Sequence, residues 1–346
     1  MKVQKRVIGN LEKCYSLAEF DYDGKKHLLV AAEKKDEIDV FTYDGQKVDT
    51  LYGGDGGVMT MQQYPEKPIL LATQKFYSPN NSAEAKIIYF INVNGKWEHR
   101  VLCEAPFVHR FGILERDGEK YLIVCTLKSA HAFKNDWTCP GRVWVARLPE
   151  DITQYDENHL LELKPLISGL FKNHGFMGGR EKDYDFAVVG TENGIYKVVP
   201  PEKEGEWVYE KLLDIPASDM LYLDFDGDGE RELLVLSPFH GDTLSLWKKA
   251  EGEYKKVYEY PGKLPFIHAV WGEKVDGKVY GFVGCRDGER ELKVVFRNEE
   301  KGIWETCEVD RGAGAANVMF YKDGDKNRLL AANRETDEIA VYTLTM

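Results

Sequence analysis

The feature that most constrains this chain is a pair of apolar strands that recurs seven times. The copies are HLLVAAEKKDEIDVF from His27, ILLATQKFYSPNNSAEAKIIYF from Ile69 and YLIVCTLKSAHAFKNDWTCPGRVWVA from Tyr121, then DFAVVGTENGIYKV from Asp185, ELLVLSPFHGDTLSLW from Glu232, YGFVGCRDGERELKVV from Tyr280 and RLLAANRETDEIAVY from Arg328. β-Branched and aromatic residues fill the strands, and Gly, Asp and Asn fill the connections. An apolar strand precedes each pair. A further strand follows several of them, opening on Gly–x–aromatic around Trp97, Trp207, Tyr254 and Trp304. A four-stranded unit repeated at this period reads as a propeller blade, and no long run carries helical periodicity.

The seventh copy ends with the chain and has no fourth strand, which leaves an edge. KVQKRVIG at the N-terminus precedes the first copy and is placed to fill it. The expected fold is therefore all-β: one seven-bladed β-propeller over residues 1–346, with four-stranded antiparallel blades and a ring closed by the N-terminal strand. The blades fall at about 10–52, 53–104, 105–165, 166–214, 215–260, 261–308 and 309–346 plus 1–9. Apolar residues at 43% supply a core for a domain of this length.

The net charge of −12 argues against nucleic acid or an anionic membrane as partner, since both require a positive field. No run approaches the ~18 apolar residues of a membrane span, and MKVQKRVIGNLEKC has no apolar signal core. The six Cys are scattered without a C-x-x-C pair and read as buried free thiols of a cytoplasmic protein.

Asp224-Phe-Asp226-Gly-Asp228-Gly-Glu-Arg-Glu232 places alternate carboxylates in a tight turn, with a later acid to close the shell. Asp224, Asp226, Asp228 and Glu232 are the expected ligands of a structural calcium ion, and an unmetallated acidic hairpin is the alternative. The turns at Asp21, Glu115, Lys274 and Tyr321 lack the full acid set.

Five of the eight His are organised by the repeat. His109, His174 and His268 each lie 17 residues before the end of the second strand of their blade, at Thr126, Thr191 and Cys285. All three fall at the start of an innermost strand, where they face the central channel. Asp219 and Asn317 occupy about the same height in two other blades. His131 and His240 lie on loops between second and third strands, which share that mouth, as do Arg286 and Arg334; Arg180 follows His174 by six. His27, His99 and His159 are read as surface residues. Two readings of the cluster stand: each imidazole fills channel space and bonds a neighbour, or several converge on a divalent metal or a substrate. Imidazoles with a carboxylate suit Zn, Mn or Fe better than Ca. There is no G-x-S-x-G elbow, P-loop, dinucleotide fingerprint or H-E-x-x-H.

A seven-bladed propeller with an FG-GAP/VCBS-like calcium loop and His at the channel mouth resembles the propeller polysaccharide lyases, among them the ulvan lyases and the rhamnose–glucuronate lyases. It also resembles the propeller of aldos-2-ulose dehydratase. In those lyases two His of one blade act with a Tyr and an Arg further on. His109 and His131 are two His of one blade, Arg180 is the candidate Arg, and Tyr184 and Tyr196 are candidates for the Tyr. The resemblance implies a metal-dependent carbon–oxygen lyase or dehydratase that acts by β-elimination on a uronate-containing or keto-sugar oligosaccharide. His109, His174, His268 and Asp219 are the expected channel metal ligands. His131 and His240, with Arg180, are the expected catalytic groups, and Arg286, Arg334 and Asn317 the expected substrate contacts. A non-catalytic propeller that binds a protein or glycan is one alternative. A sugar hydrolase, epimerase or isomerase at the same mouth is another, although an inverting hydrolase needs two carboxylates roughly 6.5–9.5 Å apart and the mouth is poor in acids.

Overall fold

The computed structural model describes residues 1–203 and 205–346. They form seven four-stranded antiparallel sheets, with one three-residue 3-10 turn, Ile152–Gln154, as the helical element among the described residues. Each sheet runs in chain order from the channel outward. Its innermost strand is followed by a second, third and outer strand, as in Cys14–Tyr22, Lys25–Ala32, Ile38–Thr42 and Lys47–Leu51 of blade 1. The chain is a seven-bladed β-propeller.

The ring closes as the sequence pattern implies. Lys2–Asn10 pairs with the C-terminal strand Glu338–Thr345, from Lys2↔Thr345 to Asn10↔Glu338. Val3 packs on the apolar layer of blades 6 and 7, and Lys5 reaches Asp310 at 2.9 Å and Glu338 at 2.6 Å. The terminal strand is thus held by side chains as well as by its ladder.

Burial explains the gradient in composition across each blade. Second strands lie between neighbouring blades with both faces covered, so they are near-continuous apolar runs, such as VVG in Asp185–Thr191 and FVGC in Lys278–Cys285. Outer strands face solvent and are polar; Glu253–Glu259 is largely exposed. The blades are glued by apolar layers of strands from adjacent sheets, such as Phe20, Leu29, Val40, Leu70, Ile88 and Phe90 between blades 1 and 2.

One boundary differs from the expected one. The outer strand of blade 3 is Lys164–Leu170, so blade 3 runs beyond residue 165. A long excursion with the 3-10 turn precedes it, and this strand lacks the Gly–x–aromatic start that marks others. All six Cys are free; Cys14, Cys103, Cys125 and Cys285 are buried. His27 is also buried, against the expected surface placement, because it stacks on Tyr22 at 4.2 Å between ring centroids. His99 and His159 are exposed.

Candidate functional site: an imidazole cluster at the channel mouth

The innermost strands begin at one mouth of the channel, and three of them begin with a β-bulge. In blade 1 the register steps from Cys14↔Ala32 to Ser16↔Ala31, which leaves Tyr15 as the extra residue. In blade 3 it steps from Val108↔Thr126 to Arg110↔Cys125 around His109. In blade 6 it steps from Ile267↔Cys285 to Ala269↔Gly284 around His268. A bulged residue escapes the alternation of the strand and is re-aimed, here into the channel. Two residues before each stands a non-Gly residue with positive φ: Lys13 at 55°, Phe107 at 63° and Phe266 at 51°. Lys172 at 48° holds the same place ahead of His174. A bulky residue in this region costs of order 1–3 kcal/mol, and the surrounding packing must supply it.

The result is a layer of rings. His109 stacks on His174 at 4.2 Å between centroids; His174 lies 5.1 Å from His268 and 5.2 Å from His240, and His240 lies 5.5 Å from His268. One ring nitrogen from each of His174, His240 and His268 falls within 4.8 Å of the others. His240 comes from the second-to-third-strand loop of blade 5, itself at φ 51°, and is sandwiched by Phe239 at 3.9 Å and Phe266 at 4.4 Å.

The hydrogen bonds fix the tautomers. His174 Nδ1 lies 2.9 Å from the Ser218 carbonyl and His268 Nδ1 2.7 Å from the Ala316 carbonyl. A carbonyl accepts, so both Nδ1 atoms carry hydrogen and both Nε2 atoms present lone pairs. Tyr15 Oη lies 3.0 Å from His268 Nε2 and 3.2 Å from His109 Nε2. Because His268 Nε2 accepts, the phenol donates to it and accepts from His109 Nε2–H. The lone pair of His109 then sits on Nδ1. That atom, His174 Nε2 and His240 Nε2 are buried without a protein partner among the described residues.

Burial sets the charge state. His109, His174 and His268 are held well below the ordinary imidazole pKa, first by desolvation and then by neighbouring cations and rings. His240 is pushed down to about 3, by burial and then by Arg286 and Lys172. Burial raises the Tyr15 phenol to about 12. At neutral pH the layer is four neutral imidazoles and a neutral phenol. Neutral imidazole is the form that binds a metal, and an Nδ1–H bonded to a backbone carbonyl is the usual outer-shell support of a metal-bound His. The donor set therefore fits a divalent cation at His174, His240 and His268.

The remaining expected site residues divide. His131 sits at the rim against Phe107, 5.5 Å between centroids, outside the set of converging nitrogens. Asp219 is buried at the start of its strand, where its carboxylate accepts from the Met220 amide at 3.0 Å. Burial pushes its pKa up to about 7 although Arg110 pulls the other way, and it too lies outside that set. Asn317 is a bracket: its Nδ2 donates to the Tyr15 carbonyl at 2.9 Å and its Oδ1 accepts from Arg110 at 3.2 Å. Arg286 and Arg334 are at the mouth but engaged. Arg286 pairs with Glu335 at 2.8 Å, and Arg334 pairs with Glu33 and Glu335. Arg180 does not reach the mouth. It ends the strand that His174 precedes, is exposed, and pairs with Asp185 at 2.8 Å; six residues at roughly 3.3 Å each carry it about 20 Å away. Tyr184 travels with it, bridged to Arg116, and Tyr196 lies on a third strand, away from the channel wall.

Tyr15 was not anticipated. Its signal was present, since it lies 17 residues before Ala32, the same spacing that marks the three His.

The acidic turn lies at the opposite end of blade 5, between the strands Asp219–Leu223 and Glu232–Ser237. Oxygens of Asp224, Asp226 and Glu232 converge within 4.8 Å. Lys248 reaches into this set, with Nζ 2.5 Å from Asp226, 2.6 Å from Asp228 and 3.4 Å from Glu232. The chain supplies its own cation there, and calcium would have to displace it.

No family model matches the sequence, and no curated protein is significantly similar to it. Solved structures share the fold across 99% of this chain. The β-propeller domain of Cps50 (Swd1) from Myceliophteria thermophila is matched over 100% of its length at 11% identity, with a TM-score of 0.63. A streptogramin B lyase is matched over 98% at 12% identity and TM-score 0.60. A catalytically inactive His→Ala variant of virginiamycin B lyase from Staphylococcus aureus, solved with quinupristin, is matched over 99% at 16% identity and TM-score 0.61. These likenesses establish the propeller. None of the three is a polysaccharide lyase or sugar dehydratase, so the expected resemblance holds at the level of fold.

Proposed function

We propose that the protein is a divalent-cation-assisted carbon–oxygen lyase whose reaction centre is the imidazole layer at the channel mouth. One observation carries the reading. Three neutral imidazoles bring nitrogens within 4.8 Å of one another, and a bulge-aimed Tyr–His pair stands beside them. His174, His240 and His268 would hold the cation, which would polarise a substrate carbonyl and so acidify the adjacent C–H. His109 Nδ1 is the base that takes this proton. Its Nε2–H faces Tyr15, and the Tyr15 hydroxyl is the acid that protonates the departing oxygen. Were the His268 lone pair to hold a cation, the Tyr15 hydroxyl would lose its resting acceptor and could serve the leaving group. The C–H and C–O bonds break, a C=C bond forms, and the proton moves from carbon to oxygen by way of His109 and Tyr15.

The substrate reading narrows within the sugar classes. Arg286 and Arg334, the expected substrate contacts, are both neutralised by glutamates, so neither is free for a uronate. A desolvated imidazole is a weak base, so the C–H must be strongly activated. Both points favour a keto-sugar or another carbonyl-activated substrate over a uronate. That a streptogramin B lyase shares the fold supports elimination only as analogy.

The test is a spectrophotometric screen of keto-sugar and uronate oligosaccharides for a conjugated double bond. The expected result is an absorbing product with a keto-sugar, reduced at least about 100-fold in rate by His109→Ala or Tyr15→Phe, the range of a lost acid–base group. Turnover unchanged in both variants would overturn the assignment.

The near-complete burial of the rings under Phe239 and Phe266 favours a second reading, a non-catalytic propeller in which the imidazoles only fill the channel. That reading requires a channel without bound metal and no turnover in the screen.

A further inference from the structure

Beneath the imidazole layer the channel continues into a cavity of about 180 Å³. Its polar wall carries one cation, Arg110. The guanidinium is steered by hydrogen bonds from Nη1 to the Met59 carbonyl at 3.1 Å and from Nη2 to Asn317 Oδ1 at 3.2 Å. Both partners are neutral. Among the described residues no carboxylate lies within 4.0 Å of Arg110, whereas Arg286 and Arg334 at the mouth are each fully paired. The acid on the cavity wall, Asp219, accepts from the Met220 amide and makes no ion pair within 4.0 Å of Arg110, although Arg110 draws its raised pKa back down. Ser16 lines the same space and is 3% exposed. Phe176 and Trp271 give the cavity apolar lining.

A half-buried guanidinium whose hydrogen-bond partners are both neutral, in a small cavity also lined by Ser16, Phe176 and Trp271, defines the ligand. We infer that this channel cavity is a binding site for a small monocarboxylate with a short apolar tail, held at its carboxylate by Arg110 and Ser16. Arg is suited to this because its fixed fork matches the two carboxylate oxygens. One cation matches one negative charge, which disfavours phosphate. The cavity is small, so the acid it takes is short, and butyrate is a suitable probe. The inference goes beyond the lyase reading and does not depend on it, since none of the four imidazoles lines this cavity.

The test is calorimetric or saturation-transfer titration of the full chain with butyrate and with butyramide, its neutral isostere. Butyrate is expected to bind at least tenfold more tightly than butyramide. Arg110→Gln should remove that preference, and Ser16→Ala should weaken butyrate several-fold. Trp271→Ala should lower affinity for butyrate more than for formate, which has no tail to lose, and this arm stands even if Arg110→Gln fails to fold. His240→Ala should leave butyrate binding unchanged. Equal binding of butyrate and butyramide, or no binding of either, would overturn the inference. So would butyrate affinity that falls with His240→Ala but not with the Arg110 or Ser16 variants, which would move the carboxylate to the imidazole layer.

Discussion

Tyr15 is the residue on which the layer turns. It is 2% exposed and hydrogen-bonds two imidazoles from blades on either side of it. Tyr15→Phe keeps the ring and removes the hydroxyl, so in metal-free protein His268 Nε2 becomes a buried acceptor without a donor. Such a group costs about 1–3 kcal/mol, and urea unfolding should show a loss in that range with the slope unchanged; a loss below about 0.5 kcal/mol would mean that the bridging bonds are not made. The four imidazoles also tie stability to pH. Their folded pKa values lie below that of the unfolded chain, so only the unfolded state gains these protons as pH falls through about 6.5. The stabilisation is therefore complete above that value and is lost below it, by at most about 1.4 kcal/mol per pH unit for each imidazole. Asp219, raised to about 7, acts in the opposite sense across the same window. His240→Gln should accordingly flatten the dependence of unfolding free energy on pH between 6 and 5 relative to the parent chain. An identical slope would show that His240 is not held neutral.

At the scale of elements, the start of the innermost strand and the far turn of the same blade do different work. The strand starts carry bulges, and the bulges aim Tyr15, His109 and His268 inward. The far turn of blade 5 carries the carboxylates that Lys248 satisfies. Lys248→Met should leave Asp226, Asp228 and Glu232 without a cation, and millimolar calcium should then raise the Tm of the variant more than that of the parent chain, since ligand at 100 times its Kd adds about 2.7 kcal/mol. Equal calcium responses would mean that Lys248 does not compete for the site. The same elements show how far the sequence could be read. Strand pairs were legible because both faces of each second strand are apolar, and aligning their ends located His109, His174 and His268. A bulge leaves no such mark, so the inward turn of Tyr15 was hidden although its spacing was visible. Arg180 was misjudged because counting forward from His174 runs down the strand, away from the mouth. The pairing of Arg286 with Glu335 and of Arg334 with Glu33 joins residues from different blades, a long-range fact that no local pattern carries.

The whole molecule is a ring of seven sheets closed by its own N-terminus, and the ring gathers residues from sequence positions 15 to 268 into one layer. Strand starts of blades 1, 3, 4 and 6 and a loop of blade 5 each contribute one ring to it, so a modest change in a loop or strand start would alter the chemistry while the scaffold stays the same. Propellers similar to this one include both a streptogramin B lyase and the Swd1 domain, so fold alone assigns no reaction. The acidic surface of the molecule, with a formal charge of −12, further favours a neutral substrate over a polyanion. The most direct test of this account is the content of Zn, Mn and Fe in purified protein by elemental analysis, for the parent chain and for His174→Ala, His240→Ala and His268→Ala. The predicted result is close to one divalent ion per parent chain, with a loss of at least tenfold in affinity in each variant. A parent chain that binds no such ion when these metals are supplied, or variants that retain it in full, would contradict the claim that the imidazole layer is a metal-holding reaction centre.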